Sequence, residues 1–149
     1  MNSIGHYIKQ ELMVEIEGTE KKSALRQVMN TIEKEKILPD PEDFFQKILE
    51  REMDSSTGIG LGVAIPHSRV ESLTDIFIAI GRSLKGIDFE TPDGTPVYLV
   101  FMIAVNANHA EYLKIISRIS WLVRNEQFRN QLLLCPSIHD LYTLLKDHG

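Results

Sequence analysis

Thiols are almost absent: Cys135 is the single cysteine in 149 residues. No disulfide can close within the chain, and such sparse cysteine fits a cytosolic address. Long apolar runs are missing too, with none near the roughly 20 residues that carry a helix across a bilayer. The opening MNSIGHYIKQELM has neither the basic start nor the apolar core of a signal peptide, so no direct membrane insertion is expected. Positive charge is in deficit. The formal net charge is −5, which argues against nucleic acid as the main partner, because a phosphate backbone needs a basic face. No H-x-x-x-H or paired Cys/His spacing occurs among the five histidines and one cysteine, so neither a metal nor another cofactor is expected. A G-x-x-x-x-G-K-[ST] loop is likewise lacking, which excludes a P-loop.

What remains is the composition of a globular protein, 43% hydrophobic and 25% charged. This length can bury a core without metal or disulfide staples. There is no internal repeat, low-complexity segment or dividing linker, so residues 1–149 are expected to form one domain.

Residues 4–12 read as a short helix, and 13–17 alternate apolar and polar as a half-buried strand does. Gly18 punctuates, and Thr19 can cap a helix that turns Ala24, Leu25, Val28, Met29 and Ile32 inward. Asp40 followed by Pro41 is a strong helix start. That helix should bury Phe44, Phe45, Ile48 and Leu49 and carry Arg51 and Glu52 at its far end. The apolar runs 75–80 and 97–105 are short enough to be buried strands. Gly86, Pro92-Asp93-Gly94 and Pro96 mark turns between them. Asn106 or Asn108 can cap a long helix with Leu113, Ile116, Ile119, Ser120 and Val123 on its core side. A further helix through Phe128, Leu132 and Leu133 should end near Cys135-Pro136, leaving Cys135 a buried helix-end residue rather than a catalytic thiol. Ser137 and Asp140 resemble a capping box opening a last helix through Leu141, Leu144 and Leu145. Strands interleaved with helices indicate an α/β domain with helices on both faces of a mostly buried sheet.

Chemistry concentrates in residues 51–69, REMDSSTGIGLGVAIPHSR. Gly58, Gly60 and Gly62 follow a helix and enter a strand, the reverse of a dinucleotide loop. They either bring backbone amides close to an anion or only supply positive φ. The strand is expected to stop at Pro66-His67. An imidazole there can be a phosphorus nucleophile, since a free imidazole titrates near about 6.5 and is mostly neutral at pH 7. It can equally be a hydrogen-bonded histidine at a strand terminus. Arg51 offers a planar fork of donors for phosphoryl oxygens, or is a C-terminal charge favoured by the helix dipole. Ser55, Ser56, Thr57 and Ser68 are candidate hydroxyl donors.

Taken together, Arg51-Glu52, Ser56-Thr57-Gly58-Ile59-Gly60 and Gly62-Val63-Ala64-Ile65-Pro66-His67 resemble a family pattern. It is that of the enzyme IIA domain of the mannitol/fructose type in the bacterial phosphoenolpyruvate-dependent sugar phosphotransferase system. That class includes stand-alone nitrogen-regulatory relatives. The similarity continues through Gly86-Ile87-Asp88-Phe89, Asp93-Gly94-x-Pro96-Val97 and the closing helices, so it covers essentially the whole chain. It implies a three-layer α/β/α sandwich with a mixed central sheet. It further implies that His67 is phosphorylated, at Nε2, by a histidine-containing phosphocarrier protein. His67 would then pass the group to an enzyme IIB domain, or report its state to a regulatory target protein. Arg51 would lie beside the phosphoryl group, with Ser56, Thr57, Gly58, Gly60 and Ser68 as its cradle. Members of the class commonly carry a second histidine near the start of the helix after the long strand. Alignment on Leu113, Ile116 and Ser117 puts Tyr112 at that place and His109 three residues earlier on the same helix face. Either could complete the site, or His109 is only a solvent-exposed neighbour of the helix cap. His6, His139 and His148 match no motif and are expected at the surface.

Overall fold

A computed structural model describes residues 3–149. A single 3-10 turn, Ile4–Tyr7, runs straight into strand β1, Ile8–Glu15. The helix expected over residues 4–12 is therefore replaced by a turn and half a strand. The reason lies in the pairing. β1 lies parallel to β5, and its register is broken between Ile8 and Met13. An irregular strand does not alternate strictly, so its buried Ile8, Leu12 and Met13 mimic helical spacing.

Helix α1, Lys21–Lys34, is capped by Glu20 rather than Thr19, its carboxylate accepting from the amides of Lys22 and Ser23. Helix α2, Pro41–Asp54, begins as expected, with the Asp40 side chain accepting from the Asp43 amide. Three short strands follow, β2 (Gly58–Gly60), β3 (Val63–Ala64) and β4 (His67–Arg69). The long strands β5 (Phe77–Ile87) and β6 (Val97–Val105) come next. β5 runs seven residues beyond the expected limit at Ile80 because antiparallel β6 pairs with it as far as Ile87 opposite Val97. Helices α3 (His109–Arg124), α4 (Glu126–Leu134) and α5 (Ile138–His148) close the described chain. Asn108 caps α3, whereas the buried Asn106 holds the Asn108 amide and the Thr74 carbonyl.

The sheet has the order β1-β5-β6-β3-β2, with β4 also on β6. β5/β6 and β2/β3 are antiparallel and the other pairs parallel, so the sheet is mixed. One apolar layer joins α1 and α2 to the sheet through residues such as Leu25, Phe44, Met102 and Ala104. The opposite layer joins α3, α4 and α5 to it through Ile115, Leu132, Leu141, Phe101 and Ile103. The result is the three-layer α/β/α arrangement. Each fully buried aliphatic or aromatic side chain contributes about 1.5–3 kcal/mol to holding these layers. The core face of α3 is rotated from the expected one. Ile115, Ile119, Leu122 and Val123 are buried, while Leu113 is 50% exposed.

One cation is taken into the core. Arg82 of β5 is 2% exposed. Its Nε donates to Glu15 Oε1 at 2.6 Å, and its Nη1 donates to the carbonyls of Leu132 and Cys135 at 2.9 and 2.8 Å. Cys135 Sγ lies 3.1 Å from the same Nη1, so the half-buried thiol belongs to a structural knot. No helix among the described residues is long and apolar enough to cross a membrane.

Candidate functional site

The last turn of α2 turns two neighbouring residues in different directions, as about 100° between successive helix positions requires. Arg51 faces solvent. Its Nη1 donates to the Ser55 carbonyl at 2.9 Å, and it has no ion pair among the described residues. Glu52 turns inward and is buried. Its two carboxylate oxygens each accept from the Thr57 amide at 3.2 Å, and Oε1 also accepts from the Thr57 hydroxyl. Lys21 Nζ pairs with Oε2 at 2.9 Å.

The glycine stretch after it is a small hairpin. Ser56 donates its hydroxyl to the Glu90 carbonyl at 2.6 Å and accepts from the Gly58 amide at 3.1 Å. The tip runs through three consecutive positive φ values, 88° at Gly60, 58° at Leu61 and 77° at Gly62. Leu61 carries a side chain there at a cost of order 1–2 kcal/mol. Asp93 props it. One carboxylate oxygen accepts from the Leu61 amide at 2.9 Å, and the other from the Thr95 amide and hydroxyl. These donors hold the Asp93 carboxyl well below the usual carboxylate range, the Leu61 amide contributing most. A Cβ on Gly58 would stand 2.7 Å from the Glu90 carbonyl oxygen. Hairpin packing thus accounts for Gly58, Gly60 and Gly62 without an anion.

His67 does not end a strand. β3 and β4 keep one register along β6, Val63 opposite Leu99 and His67 opposite Ile103, so the interruption is only at Ile65-Pro66. Pro66 has no N–H for the ladder, although its carbonyl still accepts from the Ile103 amide at 2.9 Å. The Ile65 carbonyl is engaged by the histidine instead, with Nδ1 of His67 2.9 Å away. A carbonyl can only accept, so Nδ1 carries the proton. The neutral ring then keeps its lone pair on Nε2.

Because His67 is opposite Ile103, it shares the sheet face covered by α3. The half-buried Tyr112 lies there, its ring centroid 5.2 Å from that of His67 and tilted by 42°. Burial pushes the Tyr112 phenol above its ordinary range, against a smaller opposing pull from the Arg51 guanidinium. The phenol is therefore a protonated donor at neutral pH. His109, exposed at the first position of α3, is 5.8 Å from the Tyr112 ring.

The structure thus brings His67 together with Tyr112, and Tyr112 with His109, while the Arg51 charge is felt at the Tyr112 phenol. The expected cradle is not gathered. The hydroxyls of Ser56 and Thr57 and the amide of Gly58 are already bonded within the loop. Ser68 lies opposite Ala104 and so on the α1/α2 face, away from His67. Sequence reasoning gave no role to Glu52 or Asp93, although both lie inside the stretches quoted above. His139 contacts Gln10, and His6 and His148 contact Tyr7 and Phe128, all away from this cluster.

Comparison with known proteins identifies the family and the fold. The family described as phosphoenolpyruvate-dependent sugar phosphotransferase system, EIIA 2, matches residues 7–148. The fructose-specific EIIABC component of the phosphotransferase system in Bacillus subtilis (strain 168) is 39% identical over 142 residues. That match covers 94% of this chain and only 22% of the longer protein. A nitrogen regulatory protein of Pseudomonas aeruginosa is 31% identical over 136 residues, covering 91% of this chain and 88% of its own. Among solved structures, nitrogen regulatory protein IIA-Ntr from Neisseria meningitidis superposes with a TM-score of 0.86 at 29% identity. It covers 95% of this chain and 98% of that one.

Proposed function

This chain belongs to the EIIA 2 family of the phosphoenolpyruvate-dependent sugar phosphotransferase system, and on that premise we propose that His67 is its phosphoryl-carrying residue. A phosphorylated histidine-containing phosphocarrier protein docks, and the Nε2 lone pair of His67 attacks phosphorus. A new N–P bond forms while the donor's N–P bond breaks, and the electron pair returns to the donor's imidazole. Nδ1 keeps its proton. The positive charge that the ring gains is stabilised by the Ile65 carbonyl. The second step is the same displacement on a nucleophile of an enzyme IIB domain, which leaves His67 neutral again.

The hydrogen bond from His67 Nδ1 to the Ile65 carbonyl carries this reading, because it presents Nε2 as the nucleophile. Arg51 supplies the charge. Among the described residues it gives the protein only the Nη1 bond to Ser55, so its remaining N–H groups are left for the equatorial phosphoryl oxygens. Tyr112 adds a neutral O–H donor in the place where relatives carry a second histidine, and His109 supports its ring. Met53 of α2, Leu113 of α3 and Ile59 and Leu61 of the glycine hairpin are exposed, a surface suited to partners that dock in turn.

The nitrogen-regulatory relative, matched over 88% of its own length, supports a second reading. In it the same phosphorylation adds charge at this surface and switches contact with a regulatory target protein. Mixing the chain with phosphoenolpyruvate, enzyme I and phosphocarrier tests the chemistry common to both. An acid-labile, alkali-stable phosphoprotein is expected. Label taken up equally by His67→Ala would refute the assignment.

A further inference from the structure

We propose that Glu52 is a positioning residue for the phosphoryl-transfer site, an inference that rests on the reading of His67 above. Stability alone does not explain this side chain. Its carboxylate is 4% exposed and stands in the last turn of α2, where the helix dipole disfavours an anion and burial adds a desolvation cost. The charge instead serves geometry.

From Glu52 a line of hydrogen bonds leads to the imidazole. Its carboxylate takes the amide and hydroxyl of Thr57. The Thr57 carbonyl accepts from the Ile65 amide at 3.0 Å. The Ile65 carbonyl then accepts from His67 Nδ1 at 2.9 Å. Ile65 is thereby held at both its N–H and its C=O, and the second of these bonds sets the tautomer and direction of His67. Lys21, paired at 2.9 Å, holds the far side of the carboxylate. Arg51 is the next residue on the same helix turn. One buried carboxylate therefore ties the helix end bearing the cation to the strand bearing the nucleophile, two parts contributed by separate elements.

Glu52→Gln, Thr57→Val and Thr57→Ser in the full chain test this. Single-turnover transfer is followed over a range of phosphorylated phosphocarrier concentrations, and ¹⁵N shifts report the His67 tautomer. Glu52→Gln is expected to fold and to lower the saturated transfer rate at least about tenfold, with the half-saturating carrier concentration within about twofold of wild type. Its His67 shifts should move from a single Nδ1–H tautomer to a mixture. Thr57→Val should do the same, Thr57→Ser should restore the wild-type rate, and the Glu52→Gln/Thr57→Val pair should lose less than the product of the single losses. A wild-type rate and tautomer in Glu52→Gln would overturn the proposal, as would a loss confined to half-saturation or multiplicative losses in the double variant. Should Glu52→Gln fail to fold, Thr57→Val alone decides by the same readings. The tautomer measurement needs no phosphoryl donor, so a wild-type chain that takes no label would defeat the reading of His67 and leave the Glu52 result legible.

Discussion

Arg82 and Arg51 are guanidinium groups of one fold put to opposite uses. Arg82 lies between β1, β5 and the end of α4, and three oxygens and a sulfur of the protein receive its N–H groups. Burial is the largest single influence and works to lower its pKa, yet the hydrogen bond and charge of Glu15 together with Cys135 outweigh it and hold the group above its ordinary range. Arg51 faces solvent in the last turn of α2, with one carbonyl as its only hydrogen-bond partner among the described residues. A cation whose donors are satisfied inside the chain is structural. One held in place by a single bond has donors left for a ligand. Exposure and incomplete bonding, which read as weakness in a stability argument, are what the proposed role of Arg51 requires.

That contrast predicts opposite phenotypes. Arg82→Met should destabilise by about 2–4 kcal/mol, since two buried carbonyls lose their donor, and the transfer rate of the folded fraction should not change. Chemical denaturation beside a transfer assay would show this, and a stable but inactive Arg82→Met would break the comparison. Arg51→Ala should do the converse. Its stability should stay within about 0.5 kcal/mol of wild type, while phosphoryl transfer to His67 slows roughly a hundredfold. An unchanged rate would remove Arg51 from the mechanism.

Tyr112 sharpens the comparison at smaller amplitude. Tyr112→Phe deletes one hydrogen-bond donor and should slow transfer about tenfold. Because the phenol's pKa is raised, its contribution persists through neutral pH and is lost only as pH climbs beyond the ordinary tyrosine value near about 10. The variant should lack that alkaline limb, and an identical limb in both proteins would discard Tyr112 as a donor. The least effect is expected at Asp93, which props the hairpin tip from outside the site. Its folded pKa is depressed, so its contribution is full above the unfolded value near about 3.9 and fades as pH falls towards the folded value. Asp93→Asn should therefore lower the melting temperature slightly at pH 7, with the gap narrowing below about pH 4. A gap that stays constant with pH would mean the charge is irrelevant there.

Local signals were readable where they acted locally. Asp40-Pro41 begins α2 as expected and so fixes where Arg51 falls, and Ser137 caps α5. The motif around Pro66-His67 singled out an imidazole that the structure sets against Tyr112, but not the strand that continues past it. That depends on β6 supplying the same register on both sides of a proline. β1 was misread for the same kind of reason, since a break in its register disguises a strand as a helical pattern. Arg82 was invisible because its carboxylate partner is 67 residues away. Ser56 and Thr57 looked like phosphate donors because sequence shows a hydroxyl but not whether its proton is already given away. Glu52 sat beside a recognised arginine with no sign of which way it turned.

The account turns on the proton held by Nδ1 of His67, and the position of the phosphoryl group on the ring tests it most directly. Phosphorylated protein prepared with phosphoenolpyruvate, enzyme I and phosphocarrier can be read by ³¹P–¹⁵N correlation on the imidazole. Phosphorus bonded to Nε2 of His67, with Nδ1 still protonated, is the expected result. Phosphorus on Nδ1, or on His109 with His67 unmodified, would contradict it.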